Sequence, residues 1–98
     1  MMLNKNWIEI DYKNWSKLVC NISKKMKLDT KYIISGNLGY LILYEKKNRS
    51  EIDLKSALFI IIDKSYEYKT QFNLKKNEKY RSYYNSNLIN SEAINAIK

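Results

Sequence analysis

The chain has 98 residues, enough for one small domain with a modest core and too few for two. It has no histidine, no proline, one cysteine (Cys20) and two glycines (Gly36 and Gly39), so no histidine-dependent triad, cysteine-rich zinc site, phosphate-binding glycine loop or internal disulfide is visible. A formal net charge of +8 favours nucleic acid, an anionic surface or an acidic protein as partner.

Two features qualify that charge. Lys, Asn, Ile and Tyr make up half of the chain, the bias that A- and T-rich codons produce, and sixteen lysines stand against only Arg49 and Arg81. Recognition of phosphates or base edges favours arginine, whose planar fork binds in bidentate fashion. The single thiol excludes a disulfide-stapled secreted scaffold and makes the cytoplasm the expected compartment. Residues 1 to 12 carry charges and lack the apolar core of a signal peptide, and the longest apolar run, residues 57 to 62, is too short to cross a bilayer. A soluble protein without a membrane partner is expected.

Taken in chain order, Trp7-Ile8-Glu9-Ile10-Asp11-Tyr12 alternates like a strand, but Ile8, Tyr12, Trp15, Val19, Ile22 and Met26 also form an unbroken helical series. Asn6 with Glu9 three residues later fits a capping box and tips residues 6 to 12 toward helix. Residues 11 to 27 form an amphipathic helix, with Trp15, Leu18, Val19, Ile22 and Met26 on one stripe and Lys13, Lys17, Lys24, Lys25 and Lys27 mostly off it. Asp11 or Asn14 would cap its start, and lysines in its last turn would suit the negative end of the dipole.

After Asp29 and Thr30 the pattern becomes extended: strands over 32 to 35 and 40 to 45 flank a glycine-bearing turn, and a charged loop covers 46 to 50. Residues 57 to 63 and the alternating Tyr66, Tyr68, Thr70 and Phe72 read as a second hairpin, with residues 52 to 55 extending the strand or making a helical turn. A polar turn over 75 to 79 leads to an edge strand over 80 to 84. Ser91 would cap a last helix carrying Ala93, Ile94 and Ile97. The sum is a single α+β domain: an amphipathic N-terminal helix on an antiparallel sheet of four to five strands, with a short C-terminal helix.

Ile34-Ser35-Gly36-Asn37-Leu38-Gly39-Tyr40-Leu41-Ile42 resembles the Ile-x-Gly-x-x-Gly-x-x-Ile signature of KH domains, which implies a backbone clamp on single-stranded nucleic acid. The family continues into a helix, whereas Tyr40-Leu41-Ile42-Leu43-Tyr44 is a strand-type run, so a hairpin turn is the reading of these residues. The order helix, sheet, helix is similar to that of double-stranded-RNA-binding domains, whose last helix opens on lysines; Asn90-Ser91-Glu92-Ala93-Ile94 has none. Acid-x-lysine pairs suited to a metal-dependent nuclease occur at Asp53/Lys55, with Glu51 upstream, and equally at Asp11/Lys13, Asp29/Lys31, Glu45/Lys47 and Glu67/Lys69, so the pattern selects no site. Cys20, beside the apolar stripe and without a histidine partner, reads as packing volume.

Residues 66 to 84 interleave Lys69, Lys75, Lys76, Lys79 and Arg81 with Tyr66, Tyr68, Phe72, Tyr80, Tyr83 and Tyr84. Cations that neutralise phosphates beside rings that stack on bases are the ingredients of a single-strand binding face. Tyr66, Tyr68 and Phe72 would share a core-facing side, whereas Tyr80, Tyr83 and Tyr84 cannot all face one way, which leaves at least one exposed. The expected function is non-catalytic binding of RNA or DNA, or of a nucleic-acid-containing complex. Lys17, Lys24, Lys25, Lys69, Lys75, Lys76, Lys79, Tyr80, Arg81, Tyr83 and Tyr84 form the binding face, with no cofactor, metal or catalytic residue. The alternative is a phage- or mobile-element-type inhibitor or adaptor, anti-CRISPR-like, that docks on a host enzyme and blocks its substrate channel. An open edge over 80 to 84 would also allow a homodimer.

Overall fold

The computed structural model describes residues 3 to 36, 38 to 47, 53 to 63 and 80 to 97. Its elements run β1 (Trp7–Ile10), α1 (Tyr12–Ser23), β2 (Leu28–Ser35), β3 (Leu38–Glu45), β4 (Ala57–Asp63), β5 (Tyr80–Asn85) and α2 (Ser91–Asn95). The strands form one antiparallel sheet in the order β1-β5-β4-β3-β2, and both helices pack on the same face of it. The α+β architecture read from the sequence is the one observed. The alternation over 66 to 72 lies outside the described residues.

Strand β4 is central and apolar from Ala57 to Ile62, ending on the buried Asp63, and side chains on both of its faces are buried. Toward the helices, Phe59 and Ile61 meet Trp15 and Leu18 of α1, Leu43 of β3 and Ile89 before α2. On the other face Ile60 joins Trp7, Tyr40 and Ile42, with Leu3, Leu54 and Tyr83 packed around them. A ring series links the helix to this sheet: Tyr80 meets Tyr12 edge-on at 5.3 Å, Tyr12 stacks on Trp15 at 5.7 Å, and Trp15 meets Phe59 edge-on at 5.8 Å. The Trp15 indole Nε1 donates to the Tyr83 carbonyl at 3.1 Å, so its one polar atom is satisfied.

A bulge shapes the start of β4. Leu43 pairs with Phe59 and Tyr44 with Ala57, which leaves Leu58 as the extra residue and turns it to the same core as Phe59. Ala57 falls outside the β4–β5 pairing, which begins at Phe59. The buried Asn85 side chain donates to the Ala57 carbonyl at 3.0 Å, while its Oδ1 accepts from the Asn87 N–H at 3.0 Å. A buried asparagine here replaces ladder bonds that the bulge removes.

Several elements differ from the sequence reading. Residues 7 to 10 are a strand, not helix: Trp7 to Ile10 pair with Asn85 to Ser82, and Ser86 extends the pairing by donating its N–H to the Asn6 carbonyl. Asp11 is extended and caps α1 by accepting from the Asn14 N–H at 3.0 Å. Helix α1 ends at Ser23, so Lys24, Lys25 and Lys27 follow it instead of occupying its last turn. Strand β2 starts at Leu28, four residues before the expected strand, because Leu28 to Lys31 pair with Glu45 to Ile42. Residues 54 to 56 form a turn closed on Asp53. Asn90, one residue before Ser91, caps α2. Strand β5 is interior, because β1 pairs with residues 82 to 85 on the side that the sequence leaves open; residues 82 to 84 therefore offer no free edge for a homodimer.

The two glycines have separate structural tasks. Gly36, at φ +61°, makes the left-handed step in the turn between Ser35 and Leu38. Gly39 lies under the ring of Tyr32 from the neighbouring strand, and a Cβ there would overlap the phenol. The Gly-x-x-Gly spacing thus belongs to a hairpin.

Gly39→Ala is expected to cost about 1–3 kcal/mol through overpacking, measured as a lower urea midpoint. Adding Tyr32→Ala should remove most of the steric part of that loss. Asn85→Leu, which strands the Ala57 carbonyl, should cost about 1–3 kcal/mol in the same assay.

Candidate binding surface

The expected site residues do not form one face. Tyr80 and Tyr84 point from β5 to the helix side, where both pack against the core around Phe59. Tyr83, one residue out of phase, packs on the opposite face near Trp7 and Ile60. All three are half-buried, so none of them is the exposed ring expected from the sequence. Burial, and secondarily the neighbouring Tyr12 phenol, raises the Tyr80 pKa above its ordinary value. Arg81 is exposed on the face away from the helices and is paired across strands with Glu9 at 3.7 Å. Lys69, Lys75, Lys76 and Lys79 lie outside the described residues.

The lysines of the first helix do come together with others. At the end of α1 the Lys24 N–H donates to the Cys20 and Ile22 carbonyls, and the Lys25 N–H donates to Ile22 at 3.0 Å. This tight turn wraps lysines around the negative end of the helix. The chain then enters β2, and the Lys46 N–H donates to the Lys27 carbonyl at 2.9 Å, one step beyond the Leu28/Glu45 pair. Lys46 is thereby placed opposite Lys27. Lys24, Lys25, Lys27 and Lys46 line one open cleft of ≈ 490 Å³ with Met26 and Leu28, and no carboxylate of the described residues is in its lining. Lys17, exposed on α1, lies seven residues before Lys24, about 10 Å along the helix and on the same side.

Spacing of basic residues along a helix pointed to Lys17, Lys24 and Lys25. Lys46 was not legible, because it reaches the cluster only through the β2–β3 register. Like charges directly opposite each other on paired strands are unfavourable. This fold keeps Lys27 and Lys46 in that arrangement.

The acid-x-lysine pairs have ordinary structural partners. Asp11 caps α1, Asp53 accepts from the Ser56 N–H at 2.9 Å, and Glu45 pairs with Lys47 at 3.1 Å. Asp29 accepts from the Tyr44 hydroxyl opposite it; partial desolvation, then the nearby carboxylate charge and this hydrogen bond, raise the Tyr44 pKa. Among the described residues no three Asp, Glu, Cys or His side chains group as a metal site would require. Glu51, Glu67 and Lys69 lie outside the described residues. Cys20, expected to be packing volume, is an exposed free thiol on the outer side of α1. Among the described residues no helix is long and apolar enough to cross a membrane.

Beside the lysine cleft, a second groove of ≈ 570 Å³ runs between the end of α1 and α2. Ile22, Met26, Leu88 and Ala93 contribute its apolar surface, and Lys24 and Lys25 stand on its rim. Leu88 is 48 % exposed.

If Tyr83 and Tyr84 are core residues, replacing either by alanine should lower stability by about 2 kcal/mol or more, seen as an earlier thermal unfolding transition. A platform of exposed rings would instead lose binding with little change in stability. No protein-family model, curated protein or solved structure matches this chain.

Proposed function

We infer that this is a small, non-catalytic binding protein that engages the phosphates of nucleic acid, free or within a nucleoprotein complex, in the cytoplasm. The observation that carries this reading is the convergence of Lys24, Lys25, Lys27 and Lys46 on a cleft without a carboxylate among the described residues, with Lys17 continuing the charge along α1. Lysine ammonium groups neutralise phosphates and release counterions without reading sequence. A phosphate between Lys27 and Lys46 would also relieve their mutual repulsion. With Tyr80, Tyr83 and Tyr84 half-buried, the binding proposed for the described surface is to backbone phosphates and not to stacked bases.

A second reading is supported by the adjacent apolar groove. Exposed Leu88 in one groove with Ile22 and Met26, where Lys24 and Lys25 outnumber Glu92, suits an inhibitor or adaptor that anchors an apolar side chain of an enzyme while steering toward its acidic or nucleic-acid-occupied surface.

The test is binding of labelled DNA and RNA at increasing salt. Contact with four phosphates predicts a log-log slope of about −3 to −4. The quadruple Lys24→Ala, Lys25→Ala, Lys27→Ala, Lys46→Ala variant should flatten that slope and lose most of the affinity, while its stability stays equal or rises because like charges are removed. Affinity unchanged in that variant would remove this site. A stoichiometric protein partner that survives nuclease and high salt, and is lost in Leu88→Asp, would establish the second reading in its place.

A further inference from the structure

Strand β2 is one outer edge of the sheet, eight residues long and hydrogen-bonded to β3, with no other described strand on its far side. The opposite edge, β1, has four residues. Edges are ordinarily blunted by short length, proline, a bulge or charge. Strand β2 contains no proline, keeps an unbroken register with β3, and carries two charges, Asp29, which accepts from Tyr44 of β3, and Lys31. Residues 33 to 35 are all exposed, and Ile33 and Ile34, on opposite faces, are 39 % and 50 % exposed. Two exposed isoleucines straddling an edge without a described neighbour are buried when another strand is added to that edge.

We propose that β2 pairs antiparallel with β2 of a second copy of this chain, about a two-fold axis at Ile33, to make one ten-stranded sheet. The register follows from side-chain chemistry. A two-fold axis normal to the sheet pairs residues of the same face, so it passes through a residue and not between two. Centred on Lys31, it sets two ammonium groups opposite each other. Centred on Tyr32, it sets each Lys31 against Ile33. Centred on Ile33, it sets Ile33 against Ile33, Tyr32 against Ile34, and Lys31 against Ser35, which matches apolar to apolar on both faces and gives each lysine a hydroxyl. The same axis leaves both helix layers on one side of the sheet. The pairing depends on none of the lysines assigned to phosphate binding, so it stands or falls independently of that function.

The experiment is sedimentation equilibrium of nuclease-treated protein over a wide concentration range, with Ile33→Lys as the variant and circular dichroism as the check on folding. The wild type should reach twice the monomer mass, and Ile33→Lys should stay monomeric with an unchanged spectrum. A second variant keeps the test decisive if Ile33→Lys folds poorly. On a Cys20→Ser background, Ile33→Cys should form an intermolecular disulfide under mild oxidation, since directly opposed residues are within bridging distance. Thr30→Cys on that background should not, because Thr30 faces Gly36 in this register. A wild type that is monomeric throughout, a dimer that persists in folded Ile33→Lys, or equal cross-linking at both cysteines overturns the proposal.

Discussion

The fold depends on one constraint: β4 is apolar over the six residues from Ala57 to Ile62, so it needs cover on two faces and a neighbouring strand on each side. Phe59 and Ile61 demand the helix layer, and Ile60 demands a second cluster on the other side. Because backbone groups buried this deeply need partners, β3 and β5 must flank β4 in register. The bulge at Leu58 adjusts the side-chain sequence to this geometry, and Asn85 supplies the hydrogen bond that the bulge takes away.

That demand explains the path of the N-terminal segment. Strand β1 closes the free side of β5, and β2 lies at the other end of the sheet, so α1 must cross the helix-side face to connect them. Trp15 and Leu18 are buried along that crossing, with Trp15 tied to β5 through its indole N–H. The end of α1 is consequently delivered to the start of β2, where the β2–β3 register brings Lys46 opposite Lys27. The lysine cleft is thus a product of the topology that covers β4. It sits where the helix crossing ends, at the β2 end of the sheet.

The surface divides its chemistry accordingly. Cations collect at one end of the helix layer, an apolar groove lies next to them, and the two sheet edges differ in length and composition. The three tyrosines of β5 contribute ring area to the two cores.

The sequence by itself determined the elements whose signal is local: the amphipathic stripe of α1, the glycine-bearing hairpin between β2 and β3, the apolar run of β4 and the short last helix. Hydrophobic period and turn chemistry are properties of neighbouring residues, so these were legible. Residues 7 to 10 were not, since Ile8 and Tyr12 happened to continue the helical spacing of α1; only pairing with β5, more than seventy residues away, makes them a strand. The same long-range pairing made β5 interior and packed its half-buried tyrosines against the two cores. Lys17, Lys24 and Lys25 could be read from the helix, but Lys46 could not. Its place beside Lys27 is fixed by strand register, which tertiary structure decides because hydrogen bonding between distant segments leaves no periodic trace in either one.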